Sequence, residues 1–331
     1  MTISNILIFT GAGFTKNFGG YLSNEMWATV LSSPLVQRRP VLRKLLLEDL
    51  NFENVYSRVL ESGEFPKEEG TILREVIAQA YKRLDEQITR FMPQRSDHFD
   101  LRNMMRRLSF LPSNYAGDER ALWFTLNQDL FMERNSNWKA AGAPPFDANL
   151  QRLSQQYTPT PVQLYSPEVS EQKLAEDLQK ALRDHAGISY IKLHGSYCWQ
   201  SWTGEPGMIL GMNKTALIEN EPLLKSYFNL FRQTLETSGR KMLVIGYGFR
   251  DDHINAILIN AIQSHGLQLY IINPSDPERF KTHLSLVLKG RKSQIIWEAI
   301  QGYFPYKLRD IFYEDTDTVP WREIRIAIKG A

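Results

Sequence analysis

The stretch Asn5-Ile6-Leu7-Ile8-Phe9-Thr10-Gly11-Ala12-Gly13-Phe14-Thr15 decides how the chain is read. A short apolar run, too brief for a helix, passes into a turn holding two glycines, which is the pattern of a buried strand entering a strand-to-helix turn. Glycines there let backbone N–H groups approach a phosphate, and the helix start that follows favours negative charge. A tight turn requiring a positive φ selects glycine equally well, so the loop alone leaves both readings open. It does not meet the dehydrogenase fingerprint. The third glycine of that pattern would fall on Lys16, and its acidic residue near Ser32 and Ser33. Nor is it a P-loop, because no Gly-Lys-Ser/Thr follows at the required spacing.

Similar runs recur outward from this stretch, at Ala121–Thr125, Ile188–Leu193, Lys241–Gly246, Leu267–Asn273 and Gln294–Trp297. Each is closed by turn residues and reads as a buried strand. Helical periodicity lies between them, over Glu168–His185, Leu223–Thr237 and Asp251–Ser264, and the alternation predicts a mainly parallel α/β sheet. The first and second strands are far apart. Residues 25–110 between them carry 3.6-period stretches broken by Pro34, Pro40, Pro66 and Pro93, predicting a helical insertion. Residues 135–160, with Pro144, Pro145 and Pro159 among many polar side chains, predict a long exposed loop. No linker is long enough to separate independent units, so residues 1–331 are expected to form a single domain.

Composition excludes several classes of function. The 331 residues carry 39 Lys and Arg against 37 Asp and Glu, and a net charge of +2 gives no bias toward nucleic acid or membrane. At 43% hydrophobic and 11% aromatic, the chain has enough apolar surface for a large core. No basic leader or long apolar span opens it, so a soluble, cytoplasmic protein is expected. Its single cysteine, Cys198, makes no intrachain disulfide and supplies no thiolate-rich metal site.

The strand ends carry the chemistry. The second runs into Thr125-Leu126-Asn127-Gln128-Asp129 and the third into Lys192-Leu193-His194-Gly195-Ser196. The fourth gives Gly246-Tyr247-Gly248-Phe249 before Asp251-Asp252, and the fifth gives Ile272-Asn273-Pro274. Parallel sheets present their ligand sites at these carboxyl ends. Taken singly, Asn127 and Asp129 also read as helix caps, Asn273-Pro274 as a turn, and His194 as a structural histidine.

In this order, Gly-Ala-Gly-Phe-Thr, Thr-x-Asn-x-Asp, Leu-His-Gly-Ser, Gly-x-Gly-Phe and Ile-Asn, the motifs resemble the sirtuin superfamily in its prokaryotic sirtuin-like branch, across Thr10 to Asn273. The resemblance implies a Rossmann-like sheet that binds NAD. It makes Gly11, Ala12, Gly13, Phe14, Thr15, Gly195, Ser196, Gly246, Tyr247 and Asn273 the dinucleotide-binding set, with Gly246 and Asn273 toward the adenosine half. Asn127 and Asp129 would line the nicotinamide-ribose pocket, and His194 would be the catalytic histidine. The four-cysteine zinc ribbon of protein-deacylating sirtuins cannot form here, so no zinc is expected. Their Gly-Ile-Pro-Asp-Phe-Arg run is replaced by Gly19-Gly20-Tyr21-Leu22-Ser23-Asn24. Ribbon-less sirtuin-like proteins resemble effectors of antiphage defence that deplete NAD. The implied activity is hydrolysis of NAD to nicotinamide and ADP-ribose. The implied assembly is a homo-oligomer working with a separate sensor such as a HerA-type ATPase ring or a short Argonaute. A non-catalytic NAD or ADP-ribose sensor and an ADP-ribosyltransferase are the alternative expectations. Trp199 and Trp202 are read either as a lid or as filling for a satellite cluster.

Overall fold

The computed structural model describes residues 2–90, 99, 101–112, 119–135, 161–166, 168–184, 188–314 and 316–330. Ten strands are present among them: β1 (Thr2–Ile3), β2 (Ile6–Thr10), β3 (Glu119–Thr125), β4 (Val162–Gln163), β5 (Ile188–Lys192), β6 (Gly195–Gln200), β7 (Pro206–Met208), β8 (Lys241–Ile245), β9 (Gln268–Ile272) and β10 (Ile300–Phe304). Six form an all-parallel sheet in the order β5-β3-β2-β8-β9-β10, with β1 paired beside the start of β3. Counting those six along the chain, the spatial order is third, second, first, fourth, fifth, sixth, the Rossmann arrangement. The chain therefore works outward from β2 and then returns to its other flank with β8. That reversal is where a crevice opens at the carboxyl ends of the strands. The remaining three strands make a small satellite sheet in the order β4-β6-β7.

Strands β2, β3, β5, β8 and β9 are buried on both faces, which is why they read as unbroken apolar runs. Along β2, Ile6 and Ile8 point into one core and Leu7 and Phe9 into the other. The first core is closed by the helices that follow β2, namely Ser23–Leu31, Pro34–Gln37, Pro40–Glu48, Phe52–Glu61, Lys67–Arg90 and Leu101–Phe110, together with Val319–Lys329. The second is closed by Glu171–Asp184, Pro222–Leu235, Asp252–His265, Pro277–Val287 and Arg291–Glu298. These two cores make three layers, with the helices of the 25–110 interval forming the wall above the crevice. Residues 136–160, nearly all of the expected loop 135–160, lie outside the described residues.

One expected strand is a helix. Gln294–Trp297 lies inside Arg291–Glu298, and the sixth strand follows it at Ile300–Phe304. No helix among the described residues is long and apolar enough to cross a membrane.

Glu221, at the N-cap of Pro222–Leu235, is a buried carboxyl whose Oε1 has no hydrogen-bond partner among the described residues. Burial pushes its pKa from 4.5 up to about 7. Because the folded chain holds this proton more tightly than the unfolded one, stability is lost as pH rises from 4.5 through 7. Glu221→Gln is expected to match the parent near pH 4 and to exceed it by about 1–2 kcal/mol at pH 8, read from denaturant unfolding at the two pH values. A variant no more stable than the parent at pH 8 would contradict this.

Candidate functional site

The first turn does something other than cradle an anion with its glycine amides. Gly11 N donates to Ile245 O at 3.1 Å and Gly13 N to Gly246 O at 2.9 Å, so both N–H groups are bonded to the end of β8. A Cβ on Gly13 would sit 2.7 Å from Gly246 Cα, and one on Gly246, whose φ is +66°, would sit 2.2 Å from Phe14 N. These glycines are selected by the close approach of two strand ends at the crevice. Phe14 points away from it, packed between Phe18, Trp123 and Phe131.

The strand ends are also tied to one another. Leu126 N donates to Thr10 O, Leu193 N to Thr125 O, and Thr10 Oγ1 to Thr125 Oγ1, so the loops after β2, β3 and β5 leave the sheet in register. Between them lies a cleft of about 630 Å³, a size suited to a nucleotide-class ligand. Its floor is Gly11, Ala12, Gly13 and Thr15, then Leu126 to Asp129, His194, and Gly246 to Gly248 with Arg250 and Asp251. The helical segments supply the wall, through Tyr21 to Asn24, Asn51 to Glu53, Tyr81 and Leu84.

Asn127 and His194, from two separate strand ends, are both buried and both line this cleft. Asn127 N donates to Thr125 Oγ1, and its Nδ2 reaches Thr15 Oγ1 at 3.5 Å. Gln128 staples the assembly. Its Nε2 donates to His194 O and Ile209 O, and its Oε1 accepts from Tyr81 Oη, linking the long helix Lys67–Arg90 to the strand ends.

Asp129 lines the cleft and also accepts from Phe131 N, so its capping reading holds alongside any contact with a ligand. Burial pushes its carboxyl above the usual range, and the Lys192 ammonium and the Phe131 N–H act against that. Gly195 and Ser196 do not line the cleft. Gly195, at φ +72°, turns against Gly207, and Ser196 Oγ bonds Lys192 and Gln128 O. Tyr247 lines the cleft while donating its hydroxyl to Asn255. Asn273 stands apart, its Oδ1 accepting from Ser275 N in a turn. Trp199 is buried in the second core beside Tyr227 and Trp202 is exposed, so neither covers the cleft.

Four residues not singled out from the sequence join the site: Asp251, Lys214 and Glu53 line the cleft, and His253 lies against His194. His253 presents Nε2 to His194 Nε2 at 2.9 Å, the two rings stacking with Phe228. Asp251 holds the N-cap position of Asp252–His265 yet makes no cap bond with its side chain. Instead it pairs with Lys214 at 2.7 Å, and Lys214 pairs in turn with Glu53 of the helical wall at 2.8 Å. Burial, reinforced by the Lys214 charge, holds His194 well below its usual pKa, and burial also lowers His253. Both imidazoles are therefore neutral at pH 7. The expectation of no metal-ligand set is modified here, since His194, Asp251 and His253 bring their donor atoms within 4.8 Å of one another.

A family model of the SIR2-like domain matches residues 121–296, more than half of the chain. The protein belongs to this family, and NAD-dependent chemistry comes with it at the level of the family. The match contains Asn127, His194, Gly246 and His253 but not the glycine turn after β2 or the helices that form the wall. No curated protein matches the chain.

Proposed function

We propose that the protein is an NAD hydrolase that releases nicotinamide and ADP-ribose and does not deacylate proteins. The observation that carries this reading is the placement of Asn127 and a neutral, buried His194 on one cleft at the reversal point of a Rossmann sheet. The bond between nicotinamide and ribose breaks to leave a neutral amide, so the leaving group needs no proton from the protein. The site must instead orient the ribose and place a nucleophile, and such positioning is worth roughly 7–11 kcal/mol. His194 takes a proton from a ribose hydroxyl or the attacking water, which its neutral state permits. Asn127 holds that hydroxyl or water by hydrogen bonds, and Asp129 faces the carboxamide side. His253, hydrogen-bonded to His194, fixes the ring and its tautomer.

Constant NAD hydrolysis would exhaust the cell that makes it. The activity is accordingly assigned to a regulated effector of antiphage defence, assembled as a homo-oligomer and switched on by a separate sensor protein of the HerA-type or short-Argonaute kind. The test incubates the purified chain with NAD, alone and with the products of neighbouring genes, and separates the products by chromatography. Equal amounts of nicotinamide and ADP-ribose are expected, with no loss of acetyl groups from an added acetylated peptide. Asn127→Ala is expected to slow release by about 10²–10³-fold. NAD binding without turnover under every condition would replace this reading with that of a sensor, and ADP-ribose attached to a partner would replace it with a transferase.

A further inference from the structure

We infer that His194, His253 and Asp251 form a binding site for a single divalent transition-metal ion of the zinc type, beside the cleft that His194 and Asp251 line. The two Nε2 atoms already face each other at 2.9 Å, and all three side chains place a donor atom within 4.8 Å of the others. Tetrahedral zinc with Zn–N bonds of about 2.0–2.1 Å needs its nitrogens roughly 3.3 Å apart. A few tenths of an ångström of ring movement supplies that for the two nitrogens, and the Asp251 carboxylate, within 4.8 Å of them, closes in on the ion as it binds. In the metal-free state one imidazole donates its Nε2 hydrogen to the other. Binding requires that ring to carry its hydrogen on Nδ1, leaving two Nε2 lone pairs for the ion with no change in the number of protons.

Two imidazole nitrogens and one carboxylate oxygen favour zinc or cobalt over magnesium or calcium, which take oxygen ligands. The carboxylate is held in place by Lys214, which bonds Asp251 Oδ1 and is itself balanced by Glu53. The His194 ring is additionally held by its stack with Phe228. Three protein ligands leave a fourth coordination position for water. This site is distinct from a cysteine ribbon, because Cys198 lies behind the strand ends, in contact with Ser196.

If the hydrolase reading is right, an ion held by His194 ties up the ring that reading employs and therefore arrests the reaction. That consequence rests on the hydrolase reading, whereas the binding does not. The test titrates zinc chloride into chelator-treated, full-length protein by calorimetry, with cobalt absorption reporting the geometry. One ion per chain is expected, with affinity falling by more than about 100-fold in His253→Ala and unchanged in His265→Ala at the far end of the same helix. His253→Gln and circular dichroism guard against misfolding. Equal zinc affinity in the parent and both His253 variants, or no stoichiometric zinc binding by the parent, overturns the site. In parallel, zinc is expected to halt NAD cleavage and a chelator to restore it. A protein that binds zinc through His253 but never cleaves NAD supports the site and counts against the hydrolase. One that cleaves NAD without binding zinc overturns the site alone.

Discussion

His194→Ala is expected to lower the kcat for nicotinamide release by about 10²–10⁴-fold, the range found when a positioned general base is removed, while the affinity for NAD changes far less. The asymmetry follows from where the ring acts. Its nitrogen takes a proton as the nucleophile attacks, an interaction realised at the transition state, so the loss falls on kcat. The fold should tolerate the change. What His194 contributes to the architecture is its backbone, whose carbonyl accepts from Gln128 Nε2 and Ile209 N, and alanine keeps that. The truncation does leave a void beside His253 and Phe228, so a melting temperature should accompany the rate. Product release measured at saturating NAD decides the matter, and a folded His194→Ala protein turning over at the parental rate would remove the histidine from the mechanism.

Much of this architecture could be read from residues alone because parallel strands are buried on both faces. Ile6–Phe9, Ala121–Thr125 and Lys241–Ile245 show as unbroken apolar runs for that reason. The same rule fails at the edge. Gln-Ile-Ile-Trp at 294–297 is too short for periodicity to separate helix from strand, and it proved helical. The true edge strand, Ile300-Gln301-Gly302-Tyr303-Phe304, is only partly buried and carries a polar residue and a glycine, so it did not resemble its neighbours.

The site divides in the same way. Asn127 and His194 were legible because each immediately follows a strand, and strand ends converge in this sheet. The contact of His253 with His194 spans 59 positions and depends on how the helix after β8 leans over the end of β5, which no local pattern encodes. Glu53 reaches the network from the helical wall through Lys214, a still longer excursion. The one local hint was the acidic pair Asp251-Asp252 followed by His253 at the start of a helix, where a cap would have been the ordinary reading. The glycine turn was recognised for its residues and not for its hydrogen bonds. Only the structure shows that the amides of Gly11 and Gly13 are given to β8.

Behind the cleft, Lys192 supplies the other large effect. This lysine ends β5 fully buried, and its three donors meet three acceptors: Glu133, the carbonyl of Asp129, and Ser196 Oγ at 3.0 Å. Glu133 is as deeply enclosed. Burial raises its carboxyl above the ordinary range against the pull of Lys192, and its Oε2 has no hydrogen-bond partner among the described residues. Removing the ammonium alone therefore strands a carboxylate away from water and leaves the Asp129 carbonyl short of a donor. Lys192→Ala is expected to cost about 3–5 kcal/mol, a large part of the 5–15 kcal/mol that typically separates folded from unfolded protein. Neutralising both partners should behave differently, since Lys192→Met with Glu133→Gln leaves no uncompensated charge and is expected to recover most of the loss. The deficit of the single variant should also shrink from pH 8 to pH 5. Unpaired Glu133 has a raised folded-state pKa, so the folded chain gains a proton there before the unfolded chain does, and acid relieves the burden. Denaturant unfolding of the parent, Lys192→Met, Glu133→Gln and the double variant at the two pH values measures the coupling. Additive losses with no pH dependence would mean that the pair is not what holds this end of the sheet together.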